Sequence, residues 1–85
     1  MKKPPAYLDE AKVIKWAWSG ETPFGFVGED AIFGLAICQY SDDNSVCRFS
    51  CNKDWETVQD AQYDTVEQAI NQLPEQYKQV LAEWH

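Results

Sequence analysis

The sequence has very little of the side chains that most enzymes use for proton transfer and metal binding. Its single histidine, His85, is the last of 85 residues, and chain ends are usually poorly ordered. This position argues against Ser-His-Asp and Cys-His catalysis and against histidine-containing zinc sites, because all of them need an imidazole on a fixed scaffold. The sequence therefore predicts no catalytic residue, no metal site and no cofactor.

Long apolar runs are also missing. No stretch approaches the roughly 20 apolar residues of a membrane helix, and no apolar run follows the lysines and prolines of residues 1–5, as it would in a signal peptide. We therefore expect a cytoplasmic protein that does not bind membranes. The three cysteines, Cys38, Cys47 and Cys51, agree with this expectation, because an odd and low count is a poor disulfide framework.

Positive charge is scarce in the C-terminal third of the chain. The net charge is −7, and residues 54–85 hold seven acids against one base, Lys78, whereas residues 1–53 hold seven acids against six bases. Nucleic-acid binding needs the opposite sign, because its affinity comes mostly from neutralising phosphates. An acidic surface favours a basic protein partner instead. The sequence does not indicate an oligomeric state.

The apolar pattern predicts where helices lie. The chain has twelve aromatic residues, enough for a thin core in a single domain of residues 1–85, with residues 1–6 as a mobile leader. Apolar residues between Tyr7 and Trp18 recur at helical spacing, although the β-branched and aromatic residues of Val13–Trp18 leave a strand as the alternative. Asp64 as an N-cap and helical spacing up to Pro74 predict a helix over about Thr65–Leu73. Residues 77–84 fit either a final helix or a closing edge strand.

Three segments between these helices have the pattern of strands. Ala31–Tyr40 is nearly continuously apolar, Ser45–Cys51 alternates, and Trp55–Gln59 follows a short turn. Short loops between sequential strands require antiparallel pairing. The sequence therefore predicts an α+β fold, in which a small antiparallel sheet of three to four strands (a meander) has two or three helices packed on one face.

The pairing of the first two strands depends on the loop between them. A three-residue loop, Asp42–Asn44, puts Ile37 opposite Phe49 and Leu35 opposite Cys51, whereas a four-residue loop puts Arg48 opposite Ile37. Because Arg48 is polar, we predict the first register, with Glu56 as the cross-strand partner of Arg48. In that register Cys38 faces away from the other two cysteines, so we expect three reduced thiols.

Three residues are candidates for contact with a partner. Trp18, Trp55 and Trp84 fall on predicted core stripes, but Trp16 lies off the stripe of the first predicted helix, and an exposed tryptophan is a common interface anchor. Asp60 and Glu75 belong to the acidic third and carry no predicted structural role. The predicted partner-binding residues are therefore Trp16, Asp60 and Glu75.

Two classes of function are compatible with these observations. The first is a small non-enzymatic interaction domain (immunity, antitoxin or inhibitor-like) that presents an acidic surface to a basic partner. The alternative is a small carboxylate- or thiol-dependent enzyme, or an enzyme subunit, with its site at an oligomer interface. The layout is typical of small bacterial accessory proteins, and no motif resembles a particular family.

Overall fold

The computed structural model describes residues 2–85, and most of its regular structure is β-strand. The helical elements are one short α-helix and one 3-10 turn, so the prediction of two or three helices is wrong. In chain order the elements are β1 (Tyr7–Leu8), β2 (Ala11–Trp18), β3 (Gly25–Val27), β4 (Asp30–Ile32), β5 (Gly34–Gln39), β6 (Val46–Cys51), β7 (Thr57–Tyr63), α1 (Val66–Asn71) and the 3-10 turn Glu75–Tyr77.

Five strands form one antiparallel sheet in the order β1-β2-β5-β6-β7, and β3 and β4 form a separate hairpin between β2 and β5 in the chain. The predicted meander is present as β5, β6 and β7. The segment predicted as the first helix instead extends this sheet as β1 and β2. The fold is therefore mostly β.

A β-bulge explains why β2 has the apolar spacing of a helix. The register of β2 against β5 shifts between Val13 and Lys15, so that Val13 pairs with Cys38 and Trp16 pairs with Ala36. The extra residue at a bulge changes the alternation of faces. Positions 11, 13, 16 and 18 consequently share one face of the sheet, a spacing that mixes steps of two and three. Because this mixed spacing resembles that of a helix, the segment was wrongly predicted to be helical.

The predicted register between β5 and β6 is also wrong. The prediction assumed that Arg48 faces solvent, but Arg48 is buried. Ile37 pairs with Arg48 and Cys38 pairs with Cys47, as the four-residue loop requires. Arg48 is only 2% exposed, so its charge did not mark a solvent-facing side of the strand. The loop itself is held by Asp43, whose Oδ1 accepts hydrogen bonds from the backbone N–H (2.9 Å) and the hydroxyl (2.8 Å) of Ser45.

The turn between β6 and β7 places Trp55 over the sheet. The side-chain oxygen of Asn52 accepts the backbone N–H groups of Asp54 (2.9 Å) and Glu56 (3.0 Å). Trp55 has a φ of 60°, the left-handed conformation that commonly closes a three-residue hairpin loop. Trp55 therefore belongs to the turn, and the third strand begins at Thr57 rather than at the predicted Trp55.

The two sides of the five-stranded sheet bury different clusters. We call one side the tryptophan face, where Phe49 and Trp55 are buried and Trp16 and Trp18 are partly buried. The other side, the helix face, is covered by α1, by the β3-β4 hairpin, and by the residues that follow α1. The tryptophan face buries the following residues: Leu8, Ala11, Ala36, Cys38, Phe49, Cys51 and Trp55.

The predicted helix over Thr65–Leu73 is confirmed as α1, although it is shorter and has a different cap. Thr65, not Asp64, is the N-cap, and its hydroxyl oxygen accepts the backbone N–H of Gln68 at 3.1 Å. Ala69 packs in a cluster with Ile37 and Val46 on the helix face. The predicted register put Phe49 opposite Ile37 and so on the same face, but Phe49 lies on the tryptophan face.

Residues after the 3-10 turn form no helix. Trp84 packs against the clusters of the helix face, and His85 forms two backbone hydrogen bonds with Trp16, of 2.8 and 3.3 Å. Only this single residue pairs with β2, so neither a final helix nor a full edge strand is present. At the other end of the chain, the Lys2 carbonyl accepts the indole N–H of Trp55 at 3.2 Å. The mobility of residues 1–6 stays a prediction.

Candidate functional site

Three carboxylates from distant parts of the chain act electrostatically on two neighbouring residues: Asp9 and Asp60 on Tyr40, and Asp43 and Asp60 on Cys47. Asp9 lies in the tight turn between β1 and β2, Asp43 in the loop between β5 and β6, and Asp60 in β7. We call Asp9, Asp43 and Asp60 the acidic end. Antiparallel pairing of β2 with β5, and of β5 with β6, brings the first turn and the second loop to the same end of the sheet.

The nearby carboxylates help to raise the pKa values of Tyr40 and Cys47. Desolvation raises the pKa of Tyr40 above its ordinary 10.0, and the nearby Cys47 adds to the rise. Asp9 and Asp60 raise it further, because negative carboxylates oppose ionisation of the phenol. The pKa of Cys47 is raised first by desolvation and then by Asp60 and Asp43.

Asp43 itself stays charged at a lower pH than an ordinary aspartate. The backbone N–H and hydroxyl of Ser45 donate to its carboxylate, and these hydrogen bonds lower the pKa of Asp43. Neither Asp9, Asp43 nor Asp60 forms an ion pair with a lysine or arginine of residues 2–85. The nearest cation identified beside them is Lys12, which lines a depression next to Tyr40 and Asp43 without pairing with any of the three carboxylates.

A shallow depression beside the acidic end adds apolar surface. Its volume is about 300 Å³, and it opens next to Tyr40 and Asp43. Tyr7 and Ile14 line it and are 60% and 40% exposed. Aromatic and aliphatic side chains next to charged ones are common in protein interfaces. Neither residue was predicted to contact a partner, because the helical spacing of Tyr7–Trp18 put both on a buried stripe.

The three cysteines all lie on the tryptophan face, so the prediction that Cys38 faces away from the other two is wrong. Burial raises the pKa of Cys38 and of Cys51 to about 12. A thiol attacks substrates and binds metals as the thiolate, which is scarce at neutral pH when the pKa is this high. In the described part of the chain, no three His, Cys, Asp or Glu side chains are grouped so as to hold a metal ion.

Arg48 is the most heavily buried charged side chain, and no carboxylate pairs with it. Its Nη1 donates to the Tyr63 hydroxyl at 2.9 Å, and its guanidinium lies 5.2 Å from the ring centre of Tyr77. The expected partner, Glu56, instead accepts a hydrogen bond from Asn52. Nε of Arg48 is buried without a hydrogen-bond partner. Aromatic faces, rather than a counter-ion, therefore stabilise this cation.

An apolar cavity of about 450 Å³ lies between α1 and the C-terminal residues. Ile70 and Leu73 form one wall, and Val80 and Trp84 form the other. Leu81, at 85% exposed, lies at its rim. Asn71 and Lys78 are its polar lining residues, apart from the Tyr77 hydroxyl, which is engaged by Gln59. The cavity offers apolar contact but no group suited to acid-base chemistry.

The three residues predicted to bind a partner do not form one surface. Trp16 is half-buried on the tryptophan face, with its ring centre 4.6 Å from that of His85. Asp60 is exposed on β7, three strand spacings (about 14 Å) from β2. Glu75 begins the 3-10 turn that covers the helix face, and it pairs with Lys78 at 3.1 Å. Of the three, Asp60 alone belongs to the acidic end.

The longest helical element, α1, has six residues. Across residues 2–85, no helix has the length and apolar character needed to cross a membrane. Comparison of the chain with protein-family models, with curated proteins and with solved structures gives no match.

Proposed function

We propose that the protein is a small cytoplasmic, non-enzymatic interaction domain of the immunity, antitoxin or inhibitor type, and that its acidic end binds a basic protein partner. The observation that carries the proposal is that Asp9, Asp43 and Asp60 all act on Tyr40 or Cys47 and that none of the three forms an ion pair, although Lys12 lines the neighbouring depression. Like charges held together repel one another in the free protein. A cationic surface relieves that repulsion and is attracted over a distance.

The depression beside the acidic end supports the proposal. Charge alone steers a partner but contributes little to the lifetime of a complex, which depends on buried apolar and aromatic contacts. Tyr7 and Ile14 offer such contacts within the same region as Asp43. The raised pKa values of Cys38, Cys47 and Cys51 are a reason not to prefer a thiol-dependent enzyme.

The test begins with capture of partners from a lysate of the native host and measurement of their isoelectric points. Association with a captured partner is then measured at several salt concentrations. We expect a basic partner whose association slows steeply with salt, since exposed charges act over only about 8–10 Å at physiological ionic strength. A partner as acidic as this chain, or an association rate that is insensitive to salt, would contradict the proposal.

Matched variants locate the binding surface. Asp9→Asn and Asp60→Asn each remove one negative charge from the acidic end, and Glu83→Gln removes one from an exposed residue near the C-terminus. We expect the first two variants to lower the association rate more than they raise the dissociation rate, and the third to change neither. Equal effects of all three variants would mean that only the net charge matters.

A further inference from the structure

The two outer edges of the five-stranded sheet differ in how far they are covered. On the outer side of β2, β1 pairs at Lys12, the Ala6 carbonyl accepts the N–H of Val13 at 2.9 Å, and His85 pairs with Trp16. On the outer side of β7, no backbone or side-chain hydrogen bond reaches the backbone of Thr57–Tyr63 from any other described residue. The free edge of the sheet is therefore β7.

β7 carries few of the features that usually protect a free edge, namely one exposed charge, Asp60, and an irregularity at its beginning. Natural edge strands are commonly blocked by lysine, by proline or by a bulge. β7 contains neither lysine nor proline, and its irregularity lies at its beginning, where Ser50 pairs with Gln59 and Cys51 with Thr57. From Gln59 to Tyr63 the pairing with β6 is regular. These five residues present extended backbone that can accept another strand.

The charge around β7 decides which strand fits. Glu56, Asp60 and Asp64 lie in or beside the strand, and residues 56–64 contain no base. If two copies paired β7 antiparallel about its centre, Asp60 of each copy would face Asp60 of the other, and like charges directly opposite are destabilising. A strand with lysine or arginine opposite Asp60 would instead form a favourable cross-strand pair.

We propose that a basic partner docks by adding a strand to the free edge of β7, with a lysine or arginine opposite Asp60. The proposal rests on the function proposed above and specifies how the partner binds. Backbone hydrogen bonds to β7 supply affinity that is independent of sequence, as in other cases of strand addition. The cation opposite Asp60 selects the partner and its register.

The probe is a synthetic peptide that matches β7 in length, alternates valine with lysine, and is capped at both ends. The control peptide has the same sequence with alternate backbone nitrogens methylated, which keeps the charge but prevents strand pairing. Amide hydrogen exchange of the full chain is measured by NMR with each peptide. We expect the unmodified peptide to slow exchange at alternate residues of β7 by at least about tenfold, as for newly hydrogen-bonded amides, and the methylated peptide to slow none.

Asp60→Asn should weaken binding of the unmodified peptide by about two- to fivefold, the effect of losing one cross-strand charge pair. Glu83→Gln, which removes a charge elsewhere, should leave the affinity unchanged. Equal binding of both peptides, or protection that appears at Asp9 and Asp43 but not along β7, would overturn the strand-addition proposal. A dimer of the free protein with protected β7 amides would also overturn it.

The two proposals fail in different ways. Strand addition would be refuted if a captured basic partner bound in a salt-dependent way but left amide exchange along β7 unchanged. That result would support binding at the acidic end. Peptide binding along β7 together with an acidic captured partner would refute the basic-partner function, while showing that the edge accepts a strand.

Discussion

Gly34→Ala is expected to destabilise the protein because the ring of Trp55 lies directly on the glycine. A Cβ added at Gly34 would lie 2.6, 2.7 and 2.8 Å from three carbons of the six-membered ring of Trp55. Ordinary contacts begin at 3.4 Å, so the ring would have to move by most of an ångström. Trp55 is only 5% exposed, which leaves it little room to do so.

The surroundings of Trp55 oppose that movement. Its indole N–H donates to the Lys2 carbonyl, and its ring centre lies 5.6 Å from that of Trp18 and 6.3 Å from that of Trp16. Overpacking of a core costs about 1–3 kcal/mol, and three contacts of 2.6–2.8 Å with a confined ring put Gly34→Ala at the upper end of that range. Alanine recovers about 0.5–1 kcal/mol because it has less backbone freedom than glycine in the unfolded chain. We expect a net loss of about 2 kcal/mol in the free energy of unfolding.

Differential scanning calorimetry measures this loss without relying on tryptophan fluorescence. For a domain of this size, 2 kcal/mol corresponds to a fall of about 8–16 °C in Tm. Trp55→Leu removes the obstructing ring, so in that background Gly34→Ala should be neutral or stabilising by up to about 1 kcal/mol. A control is Gly28→Ala, whose Cβ meets nothing within 4 Å. Its cost, which comes from a φ of 60°, should not depend on Trp55.

The double-mutant cycle gives the refuting result. If the cost of Gly34→Ala is the same with tryptophan and with leucine at position 55, the contact with the ring does not cause it. A Gly34→Ala variant as stable as the parent protein would show that the ring of Trp55 does not lie on the glycine in solution.

Further predictions concern the helix face and the thiols. Ile70→Ala should cost about 1–2 kcal/mol by urea unfolding, since Ile70 is half-buried; a loss below about 0.5 kcal/mol would contradict its packing on the sheet. The free energy of unfolding of Arg48→Met should stay within about 1 kcal/mol of the parent, because the substitution removes a buried charge and an unpaired Nε. Arg48→Ala should lose about 2–4 kcal/mol, because it leaves a cavity. Equal losses in the two variants would contradict this account of Arg48. A thiol reagent should modify Cys47 first in the folded protein and all three thiols after unfolding. Burial raises the pKa of Cys38 and of Cys51 from 9.0 to about 12 in the folded protein. Their contribution to the free energy of unfolding should therefore be fully present below pH 9 and be lost as the pH rises towards 12.

Local patterns predicted the elements whose residues contact one another within a short stretch of chain. The helix α1 and the strands β5 and β6 were predicted from spacing and turn residues, because capping and alternation are local properties. β2 was not, because its bulge imitates helical spacing and the competing strand depends on pairing with the distant β5. The register of β6 was missed because Arg48 was taken as solvent-facing, and the aromatic environment that buries it comes from Tyr63 and Tyr77.

The acidic end was only partly accessible from the sequence. Asp60 was identified from the charge of the C-terminal third, but Asp9 and Asp43 belong to a region with a nearly balanced charge. Their proximity to Asp60 arises from strand pairing and not from sequence distance. A strand assignment for residues 11–18 would have placed the Asp9 turn beside the Asp43 loop. Trp16, in contrast, was chosen because a helical stripe excluded it, and that stripe does not exist.

The neighbouring indoles of the tryptophan face, one pair edge-on and the other tilted, also affect how the protein absorbs light. The ring centre of Trp55 lies 6.3 Å from that of Trp16 and 5.6 Å from that of Trp18, close enough for the excited states of the rings to couple. Coupled indoles give a pair of circular dichroism bands of opposite sign that overlap the far-ultraviolet signal of the backbone. A spectrum fitted with backbone references alone would misjudge the strand content of this chain. The difference between the spectra of the parent protein and Trp55→Leu would isolate the coupled bands, which then report the rigidity of this face as the protein is titrated or heated.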